Sequence, residues 1–60
     1  MLDIKKVLME RDNMSSEAAD ELIAEAKQDL HERLNYGEQP DEICAEWFGL
    51  EDDYVFDLFD

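Results

Sequence analysis

Arrangements of residues that would signal catalysis are nearly absent from this 60-residue chain. The one histidine, His31, falls on the polar side of a helical repeat, opposite Leu22, Ala26 and Leu30, where solvent is its expected surroundings. The one cysteine, Cys44, falls at an apolar helical position. A small buried thiol is expected there, because a nucleophile needs a neighbouring base that the sequence does not show. Ser15 and Ser16 stand where a helix begins and are accounted for by capping. The Cys/His spacing of a zinc site is absent. Glu51, Asp52, Asp53 and Asp57 lack the alternating oxygen ligands and central glycine of a calcium loop. No catalytic, cofactor-binding or metal-ligating residue is assigned, no cofactor is expected, and the expectation is a protein that is not an enzyme.

The acids carry the information. Eighteen Asp and Glu stand against five Lys and Arg, a net charge of −13. The stretch from Glu38 to Asp60 contains no Lys or Arg at all. Direct binding to nucleic acid or to an anionic membrane is disfavoured, because both depend on basic side chains. A basic protein surface is the natural attractor. Part of the acidity serves helix ends: Asp3, Glu17, Asp41, Glu42, Glu51, Asp52 and Asp53 lie at or beside expected helix starts, where each contributes about 0.3–1 kcal/mol. A second group is not explained this way. Glu17, Glu21, Glu25 and Asp29 recur every four residues, a row of like charges about 6 Å apart. Like charges at that spacing cost roughly 0.2–0.5 kcal/mol per pair, and only Asp29–Arg33 continues the row favourably. Solubility or partner binding is left as its purpose. The partner-binding candidates are Glu17, Glu21, Glu25, Asp29, Glu51, Asp52, Asp53 and Asp57.

The elements that must position these residues are helical. Asp3 caps a helix over about Ile4–Arg11, with Ile4, Val7 and Leu8 on one face, and Asp12-Asn13 breaks it. Ser15 caps a long helix whose apolar positions, Ala19, Leu22, Ile23, Ala26, Leu30 and Leu34, run on until Gly37. Met14 is placed to staple onto Ala19. Pro40 suits the first turn of a third helix, which carries Ile43, Cys44, Trp47 and Phe48 and stops at Gly49. A last helix is expected over about Asp52–Phe59. The fold class is all-α: a compact single domain over residues 1–60, of three to four helices with one long central helix. Its apolar share of 45% and its aromatic residues argue against disorder.

The C-terminal pair has the apolar rhythm of a helix-turn-helix: Ala45 and Gly49 provide the small residue and the turn, and Leu50, Val55 and Leu58 the core positions. The charge is wrong for DNA. No Arg, Lys, Gln or Asn occurs in Glu51–Asp60 to touch base edges or phosphates, so the pair reads as a packing unit. Tyr54, Val55, Leu58 and Phe59 cover an arc of about 140°, which Phe56 widens to about 200°. Phe56 and Phe59 are therefore the candidates for self-association as a homodimer, or for a helix laid in a partner's groove.

The strings Glu10-Arg11-Asp12-Asn13-Met14-Ser15-Ser16-Glu17-Ala18 and Gly49-Leu50-Glu51-Asp52-Asp53-Tyr54-Val55-Phe56-Asp57-Leu58 resemble small acidic helical proteins encoded by bacteriophages and prophages. Ala18 and Asp52 depart from that pattern, which has Glu and Pro there. The resemblance implies a viral or mobile-element setting, in which small acidic proteins often inhibit host defence or host nucleic-acid enzymes. The sequence expectation is an acidic, non-enzymatic module that binds a basic protein surface, as an inhibitor or nucleic-acid mimic. The alternative is a small self-associating structural domain whose acidity serves solubility. No apolar run approaches a membrane span, the N-terminus lacks a signal-peptide pattern, and one cysteine forms no intrachain disulfide, so a cytoplasmic location is expected.

Overall fold

Capping residues set the helix boundaries in the computed structural model, which describes residues 2–40 and 42–59. Helix α1 spans Ile4–Arg11. It starts where the extended Asp3 accepts the Lys6 N–H at 3.1 Å, satisfying one of the donors a first turn leaves open. It ends at Asp12, and Asn13 then takes a left-handed conformation at φ 57, which a short polar side chain tolerates. Helix α2, Ser16–Asn35, opens with the Ser15 hydroxyl accepting the Ala18 N–H at 3.1 Å. Its twenty residues rise roughly 30 Å, which accounts for most of the 34 Å long dimension of the molecule. Past its end, Gly37 sits at φ 78; the Glu38 N–H reaches Arg33 O at 2.8 Å and the Gly37 N–H reaches Leu34 O at 3.2 Å. That pair of bonds is the Schellman motif.

Helix α3 is Ile43–Phe48, shorter than the sequence suggests. Pro40 does not lie in its first turn. The Pro40 carbonyl instead accepts the Ile43 N–H at 3.2 Å, so Pro40 heads a turn that precedes the helix. Asp41, expected at that helix start, lies outside the described residues. Gly49 ends α3 in the left-handed region at φ 67, as its position implies. The expected helix over Asp52–Phe59 is divided: a single 3-10 turn, Asp52–Tyr54, leads into α4, Val55–Leu58. A tighter turn of this kind is frequent at helix ends. The fold is thus all-α, with no strand among the described residues.

The long helix is the platform. Helices α1, α3 and α4 all pack against α2, and α3 also packs against the 3-10 turn. The buried core takes Ile4 and Leu8 from α1, Ala19, Ala26 and Leu30 from α2, Ile43, Cys44 and Phe48 from α3, and Leu58 from α4. Met14, Leu22, Ile23, Trp47, Leu50, Tyr54 and Val55 close over its edges. Leu34 is the exception to the expected stripe: it is 45% exposed.

The two glycine turns give a paired expectation. A Cβ on Gly37 meets nothing within 4 Å, and one on Gly49 meets only Arg11 Nη1 at 3.9 Å, an ordinary contact. Backbone strain is then the whole cost of alanine at either site, about 1–2 kcal/mol for a left-handed non-glycine residue. Urea titrations of Gly37→Ala and Gly49→Ala should show similar losses; a much larger loss at Gly49 would mean that the Arg11 contact does not accommodate a methyl.

Candidate interaction surface

Three internal contacts decide which charges are left exposed. The first joins the chain's two ends. Asp57, on α4, accepts the Ile4 N–H at 3.0 Å through Oδ2, so the positive end of α1 receives a carboxylate from across the fold in addition to Asp3. The second clamps α2 to α3. Trp47 donates its indole N–H to Asp29 Oδ2 at 2.8 Å, and Arg33 lies 3.1 Å from the same carboxylate one turn along α2. Arg33 also donates to Glu46, so one guanidinium links a carboxylate on each helix. The Trp47 hydrogen bond, helped by Arg33, holds the Asp29 carboxyl below the usual carboxylate range. Glu46 and Asp29 in turn push the Arg33 guanidinium up.

The third contact braces the turn between α3 and α4. Arg11 makes a two-pronged pair with its neighbour Asp12, both contacts at 2.9 Å, and donates to the carbonyl of Phe48, the last residue of α3. The bidentate bond holds the Asp12 carboxyl low. Lys5 adds an exposed pair to Asp20, joining α1 to α2 at 3.1 Å. The basic side chains of Lys5, Arg11 and Arg33 are thus turned inward or sideways, onto the protein's own acids.

The eight candidate acids therefore do not form one uniform surface. Glu17, Glu21 and Glu25 are exposed along α2, and Glu51, Asp52 and Asp53 are exposed at the entrance to α4. Among the described residues none of these six carboxylates makes an ion pair. Asp29 and Asp57 are half-buried and hold the Trp47 and Ile4 contacts. The row on α2 thus ends in a structural clamp, and the acidic last segment contains a cap for α1. Neither role was read from the sequence. For Asp29 a signal existed, since a tryptophan on an apolar face needs an acceptor for its N–H. For Asp57 there was none, because its partner lies 53 residues away.

Comparison with protein-family models, curated proteins and solved structures gives no match. The surface has to be read from its own geometry.

Phe56 and Phe59, the self-association candidates, are 70% and 52% exposed, while Leu58 beside them is buried. His31 is exposed and Cys44 is buried, with burial raising the thiol above its ordinary range and Asp52 and Asp57 adding to the effect. A hollow of about 470 Å³ opens between the end of α2 and α3, lined by Arg33, Glu38, Gln39, Glu42 and Glu46. Its one guanidinium is already engaged by Asp29 and Glu46. Among the described residues no helix is long and apolar enough to cross a membrane.

Proposed function

We propose that this domain is a non-enzymatic module that binds a basic surface of another protein. The observation that carries the reading is the set of six exposed carboxylates, Glu17, Glu21 and Glu25 on α2 and Glu51, Asp52 and Asp53 before α4, none of which makes an ion pair among the described residues. The like-charged spacing along α2 costs helix stability, and among the described residues Glu17, Glu21 and Glu25 have no ion pair to offset it. Carboxylates about 6 Å apart are of the same order as phosphates along a nucleic-acid strand. In its strong form the surface is a nucleic-acid mimic that occupies the binding face of a DNA- or RNA-binding protein. The phage or prophage setting implied by the sequence resemblance, and a cytoplasmic location, fit that role. DNA itself is an unsuitable partner, since the segment Glu51–Asp60 offers no base to meet a phosphate.

The test is affinity capture from the cell of origin at low salt, with the wild-type chain and with a variant carrying Glu21→Gln, Glu25→Gln, Asp52→Asn and Asp53→Asn. All four positions are exposed, so the fold should survive. A basic protein should be retained by the wild type, released as salt is raised toward about 1 M, where charges are screened beyond about 3 Å, and missing from the variant. A partner that stays bound at high salt, or that the variant retains, refutes the reading. A second reading, a self-associating structural domain kept soluble by its acidity, draws on the exposed Phe56 and Phe59. Concentration-dependent dimers by sedimentation, with no protein captured, would favour it.

A further inference from the structure

We infer that the outward stripe of the C-terminal segment, Asp52 and Asp53 followed by Phe56 and Phe59, is a helix-in-groove ligand for an apolar groove with a basic rim on a partner protein. The inference rests on the reading above and names the partner's chemistry. The geometry is one of register. Phe56 follows Asp53 by three residues and Asp52 by four, and Phe59 follows Phe56 by three, so all four side chains share one side of the helical segment. The opposite side faces the core through the buried Leu58 and the half-buried Tyr54 and Val55. Both acids and both rings of the stripe are exposed. Charged residues thus mark one end of the stripe and phenyl rings the other.

Charge decides between the two occupants such a stripe could take. A second copy would bring together two chains of net charge −13, with no Lys or Arg anywhere in Glu38–Asp60 to pair the acids of the stripe. A groove rimmed by Lys or Arg converts the same carboxylates into an attraction, while its floor takes the rings out of water. Two rings three residues apart are the minimal anchor pattern of a helix laid in a groove.

Two synthetic helical peptides test this by fluorescence anisotropy at low salt: one with Lys on one face and Leu on the other, and one in which every Leu is replaced by Gln. The wild-type domain should bind the Lys/Leu peptide about tenfold or more tighter than the Lys/Gln peptide, the margin coming from burial of the two rings. Phe56→Ser with Phe59→Ser should erase that margin and leave the Lys/Gln affinity in place. Tyr36→Ser, which removes an aromatic residue 82% exposed elsewhere, should preserve the margin. Equal binding of both peptides by the wild type overturns the inference and leaves the basic-surface reading standing. Binding of neither peptide overturns both. A wild-type dimer by sedimentation that the double serine variant abolishes overturns the inference in favour of the second copy.

Discussion

Leu30→Ala is expected to leave most of the chain unfolded at 25 °C. A domain of 60 residues has a core that rarely supplies more than about 3–5 kcal/mol of net stability, and here the one cysteine is free and no cluster among the described residues could hold a metal ion. Truncating a fully buried leucine removes about 2–5 kcal/mol, because the cavity left behind collapses only in part. Leu30 stands toward the upper part of that range for a reason specific to this helix. Of the three buried residues on α2, Ala19 and Ala26 are small, and Leu30 is the one large side chain. Because α1, α3 and α4 all pack on α2, no other helix can take over as platform. The measurement is far-UV circular dichroism with a urea titration, which should lack a folded baseline in the variant. Leu34→Ala is the matched control: the same substitution one turn later on a residue 45% exposed. It should shift stability by no more than about 0.5 kcal/mol. Comparable losses at the two sites would refute the packing described for α2.

Trp47→Phe is expected to cost about 1.5 kcal/mol, the low end for a hydrogen bond to a charged acceptor that is partly solvated. Arg33 still pairs with Asp29 in the variant, so the carboxylate is not left without a partner. The pH dependence identifies the cause. In the folded protein the Asp29 carboxyl is held low, first by Trp47 and then by Arg33, whereas an unfolded Asp titrates near about 3.9. A group depressed on folding contributes stability that is fully present above its unfolded pKa and is lost as pH falls through its lowered folded value. The gap between wild type and Trp47→Phe should therefore be largest at neutral pH and narrow progressively below about pH 4. Protonation of the exposed carboxylates relieves repulsion in both proteins and cancels in the difference. Urea titrations across the acid range measure it; a gap that does not narrow would assign the loss to the smaller ring.

The clamp and the cap also explain why the acidic surface was only partly legible. A four-residue repeat placed Glu17, Glu21, Glu25 and Asp29 in one row, because helical periodicity depends on local geometry alone. Which member of the row meets another helix depends on where that helix docks. The docking brings Trp47 over Asp29, and the row becomes three exposed acids and one structural acid. Asp57 makes the same point more sharply. Its capping of Ile4 exists because α1 and α4 both pack on α2 with their ends adjacent, which no local pattern encodes.

The amino-acid sequence by itself determined the helical class and most helix ends, though not the start of α3 or the division of the last helix. Asp3, Ser15, Asn13, Gly37 and Gly49 act through bonds and dihedral preferences that span a few residues, and their roles are complete without the rest of the fold. It also determined the overall sign of the surface, since charge is a property of composition. Tertiary packing decided the register: the exposure of Leu34, the brace from Arg11 to Phe48, the engagement of Asp29 and Asp57, and the outward turn of Phe56 and Phe59. Those outcomes depend on how three short helices settle on one long one.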